Sequence, residues 1–305
     1  MNTKLFFCVL VLHIFAVLGH GIDTRPSLDS GSGINKDHLL PETCGSIMEN
    51  RVLGGKYAKL YEFPWMARIA YNKKDGARFQ CSGTIINSKY ILTTAHCIVN
   101  KNIVGVRVGD LDLSSDTDCE FEPGLSVVCE NHIQDMRVEL AIPHSEFRRR
   151  PPTNDIALLR IEGEIDFNHP NVKPICLPIT PELQNKVLDF KTGTVAGWGL
   201  TELGKLMKVD LPVKSHADCE MYIQNMSKIR RNETLKNQFC GGELGKDSCI
   251  GGSGCPFMIK DIYKDVNRYV QYGVESYGPN ICGSGPEFYT DVSKYIKWIL
   301  DNISD

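Results

Sequence analysis

Three residue types that together can perform nucleophilic catalysis occur in the order histidine, aspartate, serine. His96 ends the run Thr93-Thr94-Ala95-His96, Asp155 stands in Asn154-Asp155-Ile156-Ala157, and Ser253 follows two glycines. A serine hydroxyl becomes an effective nucleophile when an imidazole accepts its proton, and a carboxylate then fixes the imidazole tautomer and stabilises its charged form. Each residue alone is more often structural, but the three with their flanking sequences predict serine-based catalysis.

Short strand-like runs must position these side chains, because apolar and β-branched residues recur in brief stretches separated by Gly, Pro, Asn and Asp. The clearest runs cover residues 65–71, 91–94, 104–108, 156–160 and 193–198. This pattern predicts an all-β barrel or sandwich. One helix is predicted at the end of the chain, with Asp291 as its N-cap and an apolar stripe that docks on the barrel. The stripe comprises Val292, Tyr295, Ile296, Ile299, Leu300 and Ile303.

The first residues of the 305-residue chain predict export. Residues 5–18 are apolar except for His13 and are too few to span a bilayer, and Gly19 and Gly21 follow them. We interpret residues 1–21 as a secretory signal peptide, the alternative being a buried N-terminal helix. No later segment is long and apolar enough to cross a membrane, so we expect no membrane partner. The net charge of −3 gives no basic field, so we expect no nucleic-acid partner.

Cysteine content supports the same extracellular compartment. Of 12 cysteines, Cys8 lies in the predicted signal peptide, which leaves an odd number, and this density in an exported chain implies disulfides. Three glycosylation sequons, at Asn225, Asn232 and Asn302, are consistent with secretion. Residues 22–51 are polar and hold one cysteine, Cys44, so we expect an irregular surface arm without a disulfide-rich module, followed by one domain at 52–305.

The motifs jointly resemble those of the trypsin/chymotrypsin family, in particular its insect-type secreted branch. The runs that carry the resemblance are Arg51-Val52-Leu53-Gly54-Gly55, Phe63-Pro64-Trp65, Thr94-Ala95-His96-Cys97, Asn154-Asp155-Ile156-Ala157-Leu158, Gly197-Trp198-Gly199, Ser276-Tyr277-Gly278 and 247–257. The resemblance implies two six-stranded antiparallel barrels with the site between them. It also implies a secreted endopeptidase made as a zymogen, whose partners are an activating protease, protein substrates and protease inhibitors, often in immune or developmental cascades.

The family's functional residues map onto this chain one by one. Cleavage after Arg51 would free the ammonium group of Val52. Ser253 would be the nucleophile, His96 the general base and then acid, and Asp155 the residue that orients His96. The remaining assignments are the oxyanion donors, Gly251 and Ser253, and the residues of the specificity pocket, Asp247, Ser276, Gly278 and Glu287, of which Asp247 would favour a substrate Arg or Lys.

The resemblance also implies the disulfide pairing. The implied pairs are Cys44–Cys176, Cys81–Cys97, Cys119–Cys129, Cys219–Cys240 and Cys249–Cys282. Cys255 is then left over. It is interpreted as a small buried thiol replacing a glycine, with an altered disulfide or an intermolecular bridge as alternatives.

Two departures from the family pattern affect the predicted mechanism. Gly252 stands where the family has the aspartate that pairs with the freed ammonium group and orders the oxyanion donors. Glu287 stands where the family has a pocket glycine, and it either projects into the pocket or turns outward. Losing one well-aimed oxyanion donor costs about 10² to 10³ in rate, so weak activity is expected.

Three readings of function follow from these departures. The first is a weakly active endopeptidase, and the second is a catalytically impaired homologue that binds a protease, substrate or inhibitor. The third is an enzyme in which another carboxylate replaces the missing one. Separately, the acidic loop containing Asp110, Asp116, Asp118 and Glu120 is a possible calcium site, with ordinary surface charge as the alternative, and no other cofactor is expected.

Overall fold

The computed structural model describes residues 36–47, 56–120, 127–199, 204–226, 235–242, 252–279, 281 and 283–305. Its strands are β1 (Met66–Lys73), β2 (Gly76–Ile85), β3 (Tyr90–Thr93), β4 (Ile103–Val108), β5 (Asp118–Glu120), β6 (Val128–Glu130), β7 (Gln134–Met136), β8 (Val138–Pro143), β9 (Arg148–Arg149), β10 (Pro152–Thr153), β11 (Ala157–Ile161), β12 (Thr192–Gly197), β13 (Met207–Pro212), β14 (Gln238–Gly241), β15 (Pro256–Tyr263), β16 (Val266–Tyr277) and β17 (Glu287–Asp291). Its α-helices are α1 (Pro181–Gln184), α2 (His216–Met226) and α3 (Ile296–Asn302).

The first sheet curls into a barrel in the order β7-β4-β1-β2-β3-β11-β8. Only Arg137 separates β7 from β8, so these two segments are one strand with an interruption. Its first part pairs with β4 and its second part with β11, and this pairing joins the two ends of the sheet. The seven segments therefore form the predicted six-stranded barrel.

The second sheet has six strands in the order β13-β12-β15-β16-β17-β14. An isolated antiparallel bridge between Val213 and Gly241 joins the two outermost strands. All of the pairings between its strands are antiparallel, as expected for strands joined by short turns. The all-β architecture with two barrel-like sheets is confirmed.

The two barrels contact each other through buried side chains. The Thr84 hydroxyl of β2 donates a 2.6 Å hydrogen bond to Gln271 Oε1 of β16. The indole N–H of Trp65, which is fully buried, lies 3.1 Å from the sulfur of Met258. Because buried polar atoms need such partners, these contacts hold the two barrels together.

Residues 36–47 contact both barrels, because Leu40 lies in the apolar cluster formed mainly by first-barrel residues whereas Cys44 lies in that of the second barrel. Leu40 is buried, and Cys44 forms a disulfide with Cys176. The Gly45 carbonyl accepts a 2.8 Å hydrogen bond from the amide of Tyr269 in β16. The predicted surface arm is therefore anchored at this end by a covalent bond, a backbone hydrogen bond and an apolar contact.

The C-terminal helix has the predicted start and packing. The Asp291 carboxylate accepts a 3.0 Å hydrogen bond from the amide of Ser293 and caps a 3₁₀ turn at Val292–Lys294, which leads into α3. Ile299 is fully buried against the first barrel's core. None of the helices in the described ranges has the length and apolar content that a membrane span requires.

Candidate active site

His96 and Asp155 are brought together by two neighbouring strands of the first barrel. His96 lies in a 3₁₀ turn at Ala95–Cys97 directly after β3, and Asp155 comes just before β11, which pairs with β3. The His96 ring atom Nδ1 is 2.7 Å from Asp155 Oδ2, and the His96 amide donates a 2.8 Å hydrogen bond to Oδ1. Asp155 is only 1% exposed, so its carboxylate acts on the imidazole without competition from water.

Ser276 is a further partner of Asp155. Its hydroxyl donates a 2.5 Å hydrogen bond to Asp155 Oδ2, across the boundary between the barrels. The Asp155 carbonyl accepts a 2.8 Å hydrogen bond from the Thr290 hydroxyl of β17. Sequence reasoning placed Ser276 at the substrate pocket and missed this contact, because nothing in the spacing of the two residues links them.

Residues 252–255, called the Ser253 segment below, are held against the first barrel by a backbone hydrogen bond. The Ser253 carbonyl accepts a 3.0 Å hydrogen bond from the amide of Ser82. Ser82 adjoins Cys81, whose disulfide partner Cys97 directly follows His96 in sequence. The Ser253 backbone and the His96 backbone are therefore both anchored to the end of β2 at Cys81 and Ser82. In the part of the chain that the structure describes, no hydrogen bond joins Ser253 Oγ to His96.

Gly254 must be glycine for the Ser253 segment to approach this closely. Its φ of +89° lies in the left-handed region, and a Cβ atom there would lie 2.0 Å from the Ser82 carbonyl oxygen. Gly252 differs, because its Cβ position has no heavy atom within 4 Å. The glycine after the nucleophile is therefore required by packing, whereas the one before it is not.

Glu287 turns inward, as the first of the two sequence-based alternatives expected. The residue is 5% exposed, and its Oε2 lies 1.4 Å from where a Cβ of Gly278 would stand. The carboxylate therefore occupies the space directly over Gly278, one of the predicted pocket residues. Burial, with the Glu287 charge as a second cause, raises the pKa of the neighbouring Tyr222.

Comparison with known proteins identifies the family. The family model described as Trypsin matches residues 52–299. The chain belongs to the trypsin family. It is 37% identical to Serine protease ea of Drosophila melanogaster over 87% of this chain and 70% of that protein. It is 38% identical to CLIP domain-containing serine protease B4 of Anopheles gambiae, over 87% of this chain and 74% of that protein.

A solved structure supports the same assignment. The crystal structure of Drosophila Grass clip serine protease of the Toll pathway superposes with a TM-score of 0.76 at 33% identity. The match covers 85% of this chain and 74% of that one. This trypsin-family chain therefore shares its fold and much of its sequence with insect serine proteases.

Glu275 is a buried carboxylate that the sequence-based assignment missed. It lies in β16 directly before Ser276 and is 7% exposed. Burial raises its pKa well above the usual range, and the nearby charge of Glu287 raises it further, whereas a hydrogen bond from the Gly252 backbone opposes the shift. The available signal was a charged residue that directly follows the apolar Val274 in a predicted buried stretch of the chain.

Cys255 is a free, buried thiol. Burial, followed by the charge of Glu275, raises its pKa to about 12, so the thiol remains protonated. The structure thus agrees with the buried-thiol interpretation. Between the nucleophile and β15, this trypsin-family chain has a small apolar group in place of a glycine.

Four of the five predicted disulfides are present. They are Cys44–Cys176, Cys81–Cys97, Cys119–Cys129 and Cys219–Cys240. The fifth pair, Cys249–Cys282, lies outside the described residues, as do Arg51, Val52, Asp247, Gly251, Asn232 and residues 121–126. The roles predicted for these residues stay predictions.

The acidic side chains at the candidate calcium site are held by donors of the protein itself. Both carboxylate oxygens of Asp118 accept backbone amides, from Leu111 at 2.8 Å and Asp112 at 3.0 Å. Asp110 is paired with the Arg107 guanidinium at 3.3 Å, while Asp116 is exposed. Burial raises the pKa of Asp118 to about 6. Residues 121–126 lie outside the described residues, and calcium binding stays a prediction.

Asn302, the sequon asparagine nearest the C-terminus, makes a side-chain hydrogen bond within its own helix. The Asn302 side-chain amide donates a 2.8 Å hydrogen bond to the Trp298 carbonyl within α3. Asn225 lies in α2. Attachment of glycans at either position remains a prediction.

Proposed function

We propose that this protein is a secreted serine endopeptidase made as a zymogen, which cleaves after Arg or Lys with weak turnover. The observation that carries the proposal is the Asp155 carboxylate, which is buried and joined to both His96 and Ser276 beside the anchored Ser253 segment. A buried, fully hydrogen-bonded carboxylate on an imidazole is the arrangement that makes the imidazole a general base.

The proposed reaction uses this network in two steps. Ser253 Oγ attacks the substrate carbonyl while His96 Nε2 accepts the hydroxyl proton, and the resulting tetrahedral intermediate expels the amine, which takes the proton from His96. Water then attacks the acyl-enzyme with His96 again as base, which releases the acid and restores Ser253. Asp155 keeps Nδ1 protonated and stabilises the imidazolium in both steps.

Two features of the site support weak rather than full activity. Gly252 has no carboxylate to order the oxyanion donors, and poorly aimed donors cost about 10² to 10³ in rate. The Glu287 carboxylate lies over Gly278, where a substrate side chain would pass. The basic preference rests on Asp247, whose carboxylate would hold a substrate Arg or Lys side chain.

The names of the relatives support an extracellular cascade role. The Grass protease is described as belonging to the Toll pathway, and other relatives include Melanization protease 1 and Spaetzle-processing enzyme of Drosophila melanogaster. We infer that the partners of this chain are an activating protease, a protein substrate and protease inhibitors.

Peptide turnover after defined activation tests the proposal. The purified protein is cleaved after Arg51, and hydrolysis of matched peptides ending in Arg, Lys or Phe is followed, with Ser253→Ala as the control. Slow hydrolysis after Arg and Lys that is absent in Ser253→Ala supports the proposal. Hydrolysis no faster than in Ser253→Ala, once complete cleavage is verified, contradicts it.

The inward Glu287 favours a second candidate function, a protease homologue that binds a protease, substrate or inhibitor without turnover. A pocket filled by a buried carboxylate can exclude the substrate side chain while the surrounding surface still binds a protein. This candidate predicts that Ser253→Ala leaves partner affinity unchanged and that the wild type shows no turnover. Measured turnover that depends on Ser253 rejects it.

A further inference from the structure

Two histidines and an aspartate of the first barrel form a cluster that the proposed mechanism does not use. One ring nitrogen each of His132 and His169 and one carboxylate oxygen of Asp166 lie within 4.8 Å of one another. His132 precedes β7, whereas His169 and Asp166 lie in the segment that follows β11. The cluster therefore joins two segments that are separate in the sequence, so no local motif indicates it.

Side-chain hydrogen bonds hold these two segments together. The Gln134 side chain donates a 2.9 Å hydrogen bond to the Asp166 carbonyl and accepts one of 2.9 Å from the Asp166 amide. The Asn171 side-chain amide donates to the His132 carbonyl at 2.7 Å and to the Gly109 carbonyl at 2.9 Å. These bonds fix the backbone positions of the cluster, as the supporting residues of a metal site must.

The side chains of the cluster retain free ligand capacity. His132 Nε2 is buried and has no hydrogen-bond partner among the described residues, which costs free energy. The His132 and His169 rings stack with centroids 3.4 Å apart and planes 10° from parallel. Asp166 Oδ1 accepts a 2.8 Å hydrogen bond from the Asn168 amide, while Oδ2 lies 4.0 Å from His169 Nε2. One carboxylate oxygen is therefore oriented by the backbone and the other lies toward the imidazoles.

We propose that His132, Asp166 and His169 bind a zinc ion. Zinc is held in proteins by imidazole nitrogen and carboxylate oxygen, in a tetrahedral shell that three protein ligands and one water can complete. Neighbouring ligand atoms of such a shell are about 3.3 Å apart, so no pair in the cluster has to approach by more than about 1.5 Å. Calcium and magnesium fit poorly, because they require oxygen ligands and two of the three donors are nitrogens.

Binding requires the two rings to tilt out of their parallel stack, so that both nitrogen lone pairs point at one ion. The His169 side chain is 39% exposed and the Asp166 side chain 45% exposed, so both can rotate without displacing core residues. The ammonium group of Lys173, on the same segment, is hydrogen-bonded to the Phe167 carbonyl. The bound ion would link the start of β7 to the segment after β11 and stabilise the folded state by mass action.

Zinc titration of the uncleaved secreted chain tests the proposal. The protein is freed of metal with a chelator, and its zinc affinity at neutral pH is measured by competition with a chromophoric chelator. We expect His132→Asn and His169→Asn each to weaken the tightest site about tenfold or more, because each removes one ligand. His216→Asn is the matched control, since His216 lies 3.4 Å from Glu220 but belongs to no three-residue cluster among the described residues. It should leave the affinity unchanged.

Chemical modification of the histidines provides a second measurement, on the wild type alone. Diethyl pyrocarbonate reacts with unprotonated imidazoles, and mass spectrometry locates the modified residues. We expect saturating zinc to suppress the modification of His169 and to leave that of His216 unchanged, whereas calcium should protect neither. This measurement keeps the proposal testable if His132→Asn does not fold.

Equal zinc affinity in wild type, His132→Asn and His169→Asn overturns the inference, and so does modification of His169 that zinc does not slow. Either result would leave Asp166 and His169 as an ordinary surface pair. Neither measurement uses cleavage after Arg51 or a substrate, so the zinc site and the proposed endopeptidase activity stand or fail independently.

Discussion

At the scale of single residues, Asp155 and Glu275 are two buried carboxylates with opposite surroundings. Asp155 accepts the His96 amide, faces His96 Nδ1 and accepts the Ser276 hydroxyl, so its charge is shared among several donors. Glu275 has a backbone donor on one side and a like charge, Glu287, on the other. The first environment supplies several hydrogen-bond donors to its carboxylate, whereas the second raises the pKa of Glu275 well above the usual range.

Glu287→Gly is predicted to raise kcat/KM for Arg peptides at least tenfold, because it removes the carboxylate that lies over Gly278. Glu287→Gln keeps the volume while removing the charge, so it is the matched control and should change kcat/KM by less than about threefold. Steady-state kinetics of the matured variants provide the measurement. An equal gain from both substitutions would show that charge rather than volume limits the pocket.

The Cys255 thiol is predicted to resist alkylation while the protein is folded. Burial raises its pKa to about 12, above the ordinary value, so the folded thiol stays protonated as the pH rises from 7 to 9, whereas the unfolded thiol ionises in that range. Iodoacetamide labelling of the peptide containing Cys255 should be at least 10²-fold slower in the folded protein, with its rate rising with pH chiefly after unfolding. Rapid labelling of the native protein would contradict this placement.

At the scale of elements, the Ser253 segment depends on its contact with β2. Gly254→Ala places a methyl group 2.0 Å from the Ser82 carbonyl oxygen at a φ that L residues rarely adopt. We predict a loss of about 2–4 kcal/mol in the free energy of unfolding, measured by urea denaturation. The matched control Gly252→Ala faces open space and should change stability by no more than about 1 kcal/mol. Similar effects of the two variants would refute the assigned packing.

The strands and the catalytic order were predictable from the sequence because both are local patterns. Apolar runs marked β1, β3, β4, β11 and β12, and short motifs marked His96 and Asp155. Two contacts were not predictable, because each joins segments from different parts of the chain. They are the hydrogen bond between Ser276 and Asp155 and the approach of Glu275 to Gly252. The sequence around Glu275 does not reveal that the pairing of β16 with β17 brings the Glu287 carboxylate near it.

At the scale of the whole molecule, residues 36–47 are attached to the rest of the chain by a disulfide bond and by the burial of apolar side chains. Cys44–Cys176 joins residues 132 apart in sequence, and Leu40 is buried in the apolar cluster formed mainly by first-barrel residues. The sequence resemblance implied the disulfide, but only the fold shows that residues 36–47 also pair with β16 through Gly45. Cleavage after Arg51 is therefore expected to leave the arm bound.

Non-reducing electrophoresis of the cleaved protein tests this expectation. We predict one band without reductant and two with it, and intact mass should show both polypeptides together. In the Cys44→Ser variant the arm has no covalent link, so the cleaved protein should give two bands even without reductant. Loss of the arm from the wild type under non-reducing conditions would contradict the disulfide assignment.

The most direct test of the central claim is stoichiometric labelling of the matured protein with a fluorophosphonate, mapped by mass spectrometry. The claim is that His96, Asp155 and Ser253 form a working nucleophile in spite of Gly252. It predicts a single adduct on Ser253 that forms slowly, and that is lost in Ser253→Ala and His96→Ala. No adduct on Ser253 after verified cleavage, even at prolonged exposure, would contradict the account.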